Sequence, residues 1–301
     1  MTDSIFGIFP VLPTPFADDG GVDRVAMRKL VAFAIEQGAS GLVFPGFASE
    51  VEHLSGDERT ELLGIVAEEA RGRVAVVAGA SAGSEDEVIA HGSTARRLGI
   101  EYVMVQPPVA IGSSAQAVTR FFDEIARGLP NVGIVLQNAP APRGSDLSPE
   151  TILKIAAEVP GIAYVKEETL PAGPAISAIM AKKPESLAGA IGGGGARYII
   201  DEFRRGACAA MPAVELTDIH AEINSAFRSG NLADARKLYG RTLPLLVLQA
   251  IFRMRLTKHV MMRRGILTNA RVRAKIPPMD RFTIEDIDAN LALLGLIEDP
   301  N

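Results

Sequence analysis

The chain of 301 residues has no tryptophan, four tyrosines and one cysteine, and only 5% of its residues are aromatic. A single thiol, Cys208, excludes a disulfide within the chain and suits a reducing compartment. It lies in an apolar run and reads as an inert core thiol. Cationic excess is also missing, since 31 Lys and Arg stand against 36 Asp and Glu. No basic run and no basic patch studded with aromatics occurs, which argues against a nucleic-acid partner. No apolar stretch approaches the roughly 20 residues of a membrane helix. The opening MTDSIFGIFPVLPTPF carries an early acid and several prolines, unlike a signal or transit peptide. A soluble, cytoplasmic protein is therefore expected. The histidines His53, His91, His220 and His259 are scattered with no i, i+4 pair. No acidic cluster has ligand spacing either, so no metal site is expected.

What is present is a large apolar content, 48%, enough for one large domain or one domain with an appendage. Eight short β-rich runs recur: FGIFPVL (6–12), GLVFPG (41–46), VAVVAGAS (74–81), YVMVQPP (102–108), VGIVLQNAP (132–140), IAYVKEE (162–168), LAGAIGGGG (187–195) and ACAAMPA (207–213). They are continuous apolar runs, the pattern of strands covered on both faces in a parallel sheet. Helical periodicity fills the intervals, and Ser55 and Ser148 open two of these stretches with N-cap signals. Eight such units predict a (β/α)₈ barrel over residues 1–221, the catalytic part. A doubly wound sheet is the rival, but no dinucleotide-type glycine signature follows the first run. From about 222 to 301 helical patterns follow one another without strands, predicting a C-terminal helical appendage.

A barrel of this kind builds its site where strands end. Polar and backbone-permissive residues collect there: Gly46, Ala48, Ser49 and Glu50 after the second run, Gln137 and Arg143 after the fifth, Lys166 and Glu168 at the sixth. Gly192 and Gly193 open a tetraglycine after the seventh, and Met211 ends the eighth. Lysine is rarely buried unless paired or working. Lys166 ends an apolar strand, and burial favours the neutral amine that imine chemistry requires. Position alone leaves two readings open, a nucleophilic amine or a lysine paired with Glu168. Strand alternation puts Glu168 on the same side as Lys166, either as an acid or base for the reaction or as a structural partner of an arginine such as Arg197. The tetraglycine lacks the lysine and Ser/Thr of a phosphate-binding loop and suits a close backbone approach to substrate. For Arg143 the choice is between a distal substrate group and solvent.

The segments GIFPVLPTPF, GFASE, QNAP and YVKEET resemble, in order and spacing, the dihydrodipicolinate synthase and N-acetylneuraminate lyase superfamily along nearly the whole chain. The resemblance implies that Lys166 forms a Schiff base with a small 2-keto acid, with no cofactor, in a homo-oligomer, commonly a tetramer. The departures are informative. Gly46-Phe47-Ala48-Ser49-Glu50 stands where the synthases have Gly-Thr-Thr-Gly-Glu, Gln137 where most members have a proton-relaying tyrosine, and Pro108-Val109 where they pair tyrosines. A glutamine is neither acid nor base near neutral pH, so that relay cannot operate. FASE, QNAP and KEET are similar instead to the Phe-Ser-Glu, Gln-Asp-Ala-Pro and Lys-Ile-Glu-Thr segments of the L-2-keto-3-deoxyarabonate dehydratase branch. The resemblance therefore implies dehydration of a 2-keto-3-deoxy sugar acid, its carboxylate held by the loop amides and the Ser49 hydroxyl. Gln137 then serves as a hydrogen-bond donor to an intermediate or a substrate hydroxyl. A pyruvate-dependent aldolase or condensing enzyme is the alternative, and a non-catalytic 2-keto-acid-binding protein a further one.

Overall fold

The computed structural model describes residues 4–298, so Met1 to Asp3 of the opening stretch and residues 299–301 of the helical region lie outside it. Eight strands run as β1 (Gly7–Ile8), β2 (Gly41–Phe44), β3 (Ala75–Gly79), β4 (Tyr102–Val105), β5 (Gly133–Asn138), β6 (Ile162–Glu167), β7 (Gly189–Gly192) and β8 (Ala209–Ala210). They form one sheet in the order β1-β8-β7-β6-β5-β4-β3-β2, and their pairings from β3 to β8 are all parallel. Val11 bridges in parallel to both Val43 and Ala213. With helices between the strands this is the expected (β/α)₈ barrel. The strands are shorter than the apolar runs that announced them, because each run continues past its last ladder bond into the loop beyond.

The intervening helices are α1 (Arg24–Glu36), α2 (Gly56–Ala70), α3 (Glu85–Arg97), α4 (Ala115–Gly128), α5 (Pro149–Glu158), α6 (Ala172–Lys182), α7 (Ile199–Arg204) and α8 (Thr217–Arg228). Their starts are chemically marked. Ser55 and Glu58 close a reciprocal capping box on α2, and the Ser148 hydroxyl accepts from Thr151 N with Pro149 in the first turn of α5. Such caps stabilise a helix by about 1 kcal/mol each. The strand interiors are fully buried at Val103, Ile134, Leu136 and Val165, each contributing about 1.5–3 kcal/mol through removal of apolar surface from water.

The C-terminal helices are α9 (Leu232–Arg263) and α10 (Arg281–Leu293). The backbone of α9 leaves helical geometry at Arg253 (φ 45°, ψ −124°). The chain packs as two compact units. The first runs up to Gly7 and takes Ala75–Gly194 and Tyr198–Met211; the second takes Ile8–Val74, Gly195–Arg197 and the chain from Pro212 on.

Candidate active site

In the first unit, register decides which side chains meet. Gln137 of β5 pairs with Lys166 of β6, and one residue on, Asn138 pairs with Glu167, which pairs with Gly192 of β7. Partners in a parallel ladder project to the same face, and successive residues to opposite faces. Gln137 and Lys166 therefore share one face, while Asn138, Glu167 and Gly192 share the other. Glu168, two residues beyond Lys166, returns to the first face. Lys166 is only 4% exposed, and its Nζ lies 3.1 Å from Glu168 Oε1.

Glu168 Oε2 accepts from Gln137 Nε2 at 2.7 Å and from Arg143 Nη2 at 3.1 Å. Burial alone would raise the Glu168 pKa, but the charges of Lys166 and Arg143, with hydrogen bonds from Gln137 and Lys166, outweigh it and hold the carboxyl at about 2. The centre is thus an ionised carboxylate drawing a lysine, an arginine and an amide to one point. The Gln106 side chain donates to the Arg143 carbonyl at 2.8 Å and ties down the loop that carries this arginine. Arg143 is accordingly a partner of the carboxylate as well as a loop residue. Gln137 thus donates to Glu168 in this structure. Arg197, offered above as a partner for Glu168, belongs to the second unit, where its Nη1 donates to Gln249 at 3.0 Å.

The opposite face of the same strands is a brace. Glu167 is fully buried and accepts from Asn138 Nδ2 at 2.9 Å and from the amide and hydroxyl of Thr169. Asn138 in turn exchanges two 2.9 Å bonds with the Leu147 backbone. Burial raises the Glu167 pKa against the pull of these donors. At the glycines a side chain would meet carboxyl groups. A Cβ on Gly193 would overlap the Glu168 side chain, and one on Gly192 would overlap the Glu202 carboxyl. Met211 is buried, and its amide donates to the Gly192 carbonyl at 3.0 Å. Cys208 is half-buried, with its thiol 3.3 Å from the Ala190 carbonyl.

In the second unit, residues 47–49 form a 3₁₀ turn in which the Ser49 amide donates to the Gly46 carbonyl at 2.9 Å. Ser49 is wholly buried, donates to the Leu12 carbonyl at 2.5 Å and accepts from Gly46 N at 2.8 Å. Its hydroxyl proton is therefore spent on closing the loop, which corrects its assignment as a donor to a substrate carboxylate. Glu50 ties its loop to the C-terminal part of the same unit. It sits at a left-handed φ of 58° and pairs with the buried Lys258, and its other oxygen accepts from the amides of Arg273 and Ala274 at 2.7 Å each.

Lys258 and Glu202 both escaped the sequence reading. Lys258 had a usable signal, because Met254 and Met261, four before and three after it, place it on an apolar helix face. Glu202 had none, since its burial depends on a glycine in a different element.

A (β/α)₈ barrel with a buried lysine–carboxylate centre at the end of its sixth strand defines a class of enzyme. The chain belongs to the dihydrodipicolinate synthetase family, whose model matches residues 4–291. It is a lyase of that family. It is 30% identical over 91% of its length to an L-2-keto-3-deoxyarabonate dehydratase of Azospirillum brasilense, covering 89% of that protein. It is also 30% identical over 97% of its length to a 4-hydroxy-tetrahydrodipicolinate synthase of Chelativorans sp. (strain BNC1), covering 99% of it. The dihydrodipicolinate synthase of Rhodopseudomonas palustris has the same fold, with a TM-score of 0.89 at 24% identity over 97% of this chain and 98% of that one. Among the described residues no helix is long and apolar enough to cross a membrane.

Proposed function

We propose that the protein is a Schiff-base-forming lyase that dehydrates a 2-keto-3-deoxy sugar acid, with L-2-keto-3-deoxyarabonate as the reference substrate. The observation that carries this reading is the buried Lys166 Nζ 3.1 Å from Glu168, with Gln137 rather than an ionisable group as the third member. The dehydratase relative supports the choice of substrate.

Lys166 loses a proton, for which Glu168 is the adjacent acceptor, and its amine adds to the C2 ketone. Glu168 returns that proton to the carbinolamine hydroxyl, which leaves as water and gives a protonated imine, an electron sink that acidifies C3. Glu168 then takes a C3 proton, and the resulting enamine expels the C4 hydroxyl as the proton is returned to it. The net change is loss of one water, and hydrolysis of the imine frees Lys166. Gln137 and Arg143 hold the carboxylate in place as its proton comes and goes. A cytoplasmic homotetramer remains part of the proposal by analogy with the family.

Incubation with L-2-keto-3-deoxyarabonate, borohydride trapping and peptide mass analysis tests the reading. A dehydrated adduct on Lys166 supports it. A pyruvyl adduct would make the protein an aldolase, and the absence of any adduct, with pyruvate tested in parallel, would leave a binding protein.

A further inference from the structure

One buried acid in the first unit has no place in the mechanism above. Glu202 of α7 is 1% exposed, and apart from the pull of the Gly193 amide neither of its carboxyl oxygens makes a hydrogen bond of ordinary geometry. Its carboxyl occupies the space that a side chain on Gly192 would fill, as Glu168 does at Gly193. Two successive glycines thus have one carboxyl packed against each, on opposite faces of the strand end.

The surroundings of Glu202 are anionic. Glu167 at the end of β6, Glu168 just beyond it and Asp201 of its own helix all act on it as charges, and Asp201 is paired with Arg205. From α6, Gly173 and Ser177 meet that Asp201–Arg205 pair, while at the end of β7 the Gly192 backbone lies against the Glu202 carboxyl. Among the described residues no cation is paired with Glu202. Burial dominates and pushes its pKa up to about 8, and the neighbouring carboxylates add to the rise against the pull of the Gly193 amide. An ordinary glutamate in the unfolded chain ionises near 4.5. Between these two values the folded protein holds a proton that the unfolded chain does not, so Glu202 costs stability as pH rises from 4.5 to 8. A neutral side chain of the same shape would avoid that cost, and buried acids held at such a cost cluster at working sites.

We propose that Glu202 is a positioning residue of the Lys166–Glu168 centre, uncharged in the active state, and that its ionisation behind Gly192 and Gly193 turns the centre off. This inference rests on the Schiff-base reading of Lys166 and adds a control to it. A third negative charge beside Glu167 and Glu168 would hold the Lys166 proton in place and weaken the attack on a ketone. That effect has the opposite sign to the behaviour of a lysine alone, whose amine becomes more nucleophilic as pH rises.

The test compares Glu202→Gln with the wild type in two measurements. Thermal unfolding followed from pH 4.5 to pH 8 needs no substrate. The variant is expected to gain in Tm over the wild type progressively across this range, and a difference that stays constant would overturn the inference by itself. Borohydride trapping of pyruvate on Lys166 is then followed from pH 6 to pH 9.5. Wild-type trapping is expected to fall above about pH 8. The variant should trap within about threefold of the wild type at pH 7 and lack the alkaline fall. The same fall in both proteins overturns the proposal, as does a folded variant unable to trap at pH 7. A wild type that traps nothing at any pH overturns the Schiff-base reading and the control built on it, whereas the protonated state of Glu202 is decided by the unfolding data.

Discussion

Among the described residues there are two buried lysine–glutamate pairs, one in each compact unit, and they differ in what else each member touches. Lys258 is 1% exposed and its ammonium is fully used: it donates to Glu50 at 2.5 Å and to the Arg271 carbonyl at 2.7 Å, and lies 4.1 Å from the centroid of the Phe16 ring. Glu50 spends its second oxygen on two backbone amides. Arg273 completes this join with a forked pair to Glu58 at 2.6 and 2.8 Å. The Lys166 ammonium, by contrast, has Glu168 as its one hydrogen-bonding partner among the described residues. Glu168 gathers its partners from side chains, with no backbone donor. A pair closed by main-chain bonds holds segments together. A pair held by side chains at a strand end can exchange a proton and rearrange without disturbing the fold. Burial lowers the Lys258 pKa to about 8, with Glu50 opposing, so a lowered value also occurs at a lysine closed by main-chain bonds.

Breaking each pair should therefore cost different things. Lys166→Ala is expected to abolish borohydride-trapped adduct and lyase turnover while shifting Tm by only a few degrees. Retention of turnover by this variant would remove the imine mechanism. Lys258→Met should do the reverse, costing about 3–5 kcal/mol by leaving Glu50 buried without its cation; denaturant unfolding reads this directly, and an unchanged midpoint would mean that the closed pair is not a clamp. Glu168→Gln keeps the shape and removes the base, so kcat should fall by about 10²–10⁴. The same substitution should flatten the acid side of the stability profile. The folded pKa of Glu168 lies near 2, below the ordinary 4.5, so its contribution is complete above 4.5 and is lost as pH falls towards 2. That contribution is on the order of 3 kcal/mol. Arg143→Ala, the mildest change, removes one of two cations from Glu168, raises its pKa, and should lower kcat about tenfold with the acidic limb of the rate profile moved upward. A profile that stays in place would assign Arg143 to the loop alone.

Much of this was readable before any coordinates. Eight apolar runs with capped helices between them specify a parallel barrel, because strands covered on both faces have no need of alternation. The join of Lys166 and Glu168 also followed from sequence, through the two-residue repeat of a strand. Contacts that depend on register between strands did not. Gln137 and Lys166 are 29 positions apart, and only the β5–β6 ladder sets them side by side. Ser49 illustrates the limit of motif reading. Its hydroxyl is at the expected place in the loop, yet the Leu12 carbonyl, 37 residues earlier, takes its proton.

By itself, then, the sequence determined the barrel, the family resemblance and the lysine at the end of the sixth strand, all of which depend on local periodicity and short motifs. Tertiary structure alone decided which of two buried lysines is closed by backbone bonds and which carboxyl stands against which glycine. Only tertiary structure put an unpaired Glu202 behind the centre. The reason is physical: an ionisable group is defined by the charges and donors within a few ångströms, and those neighbours come from elements distant along the chain.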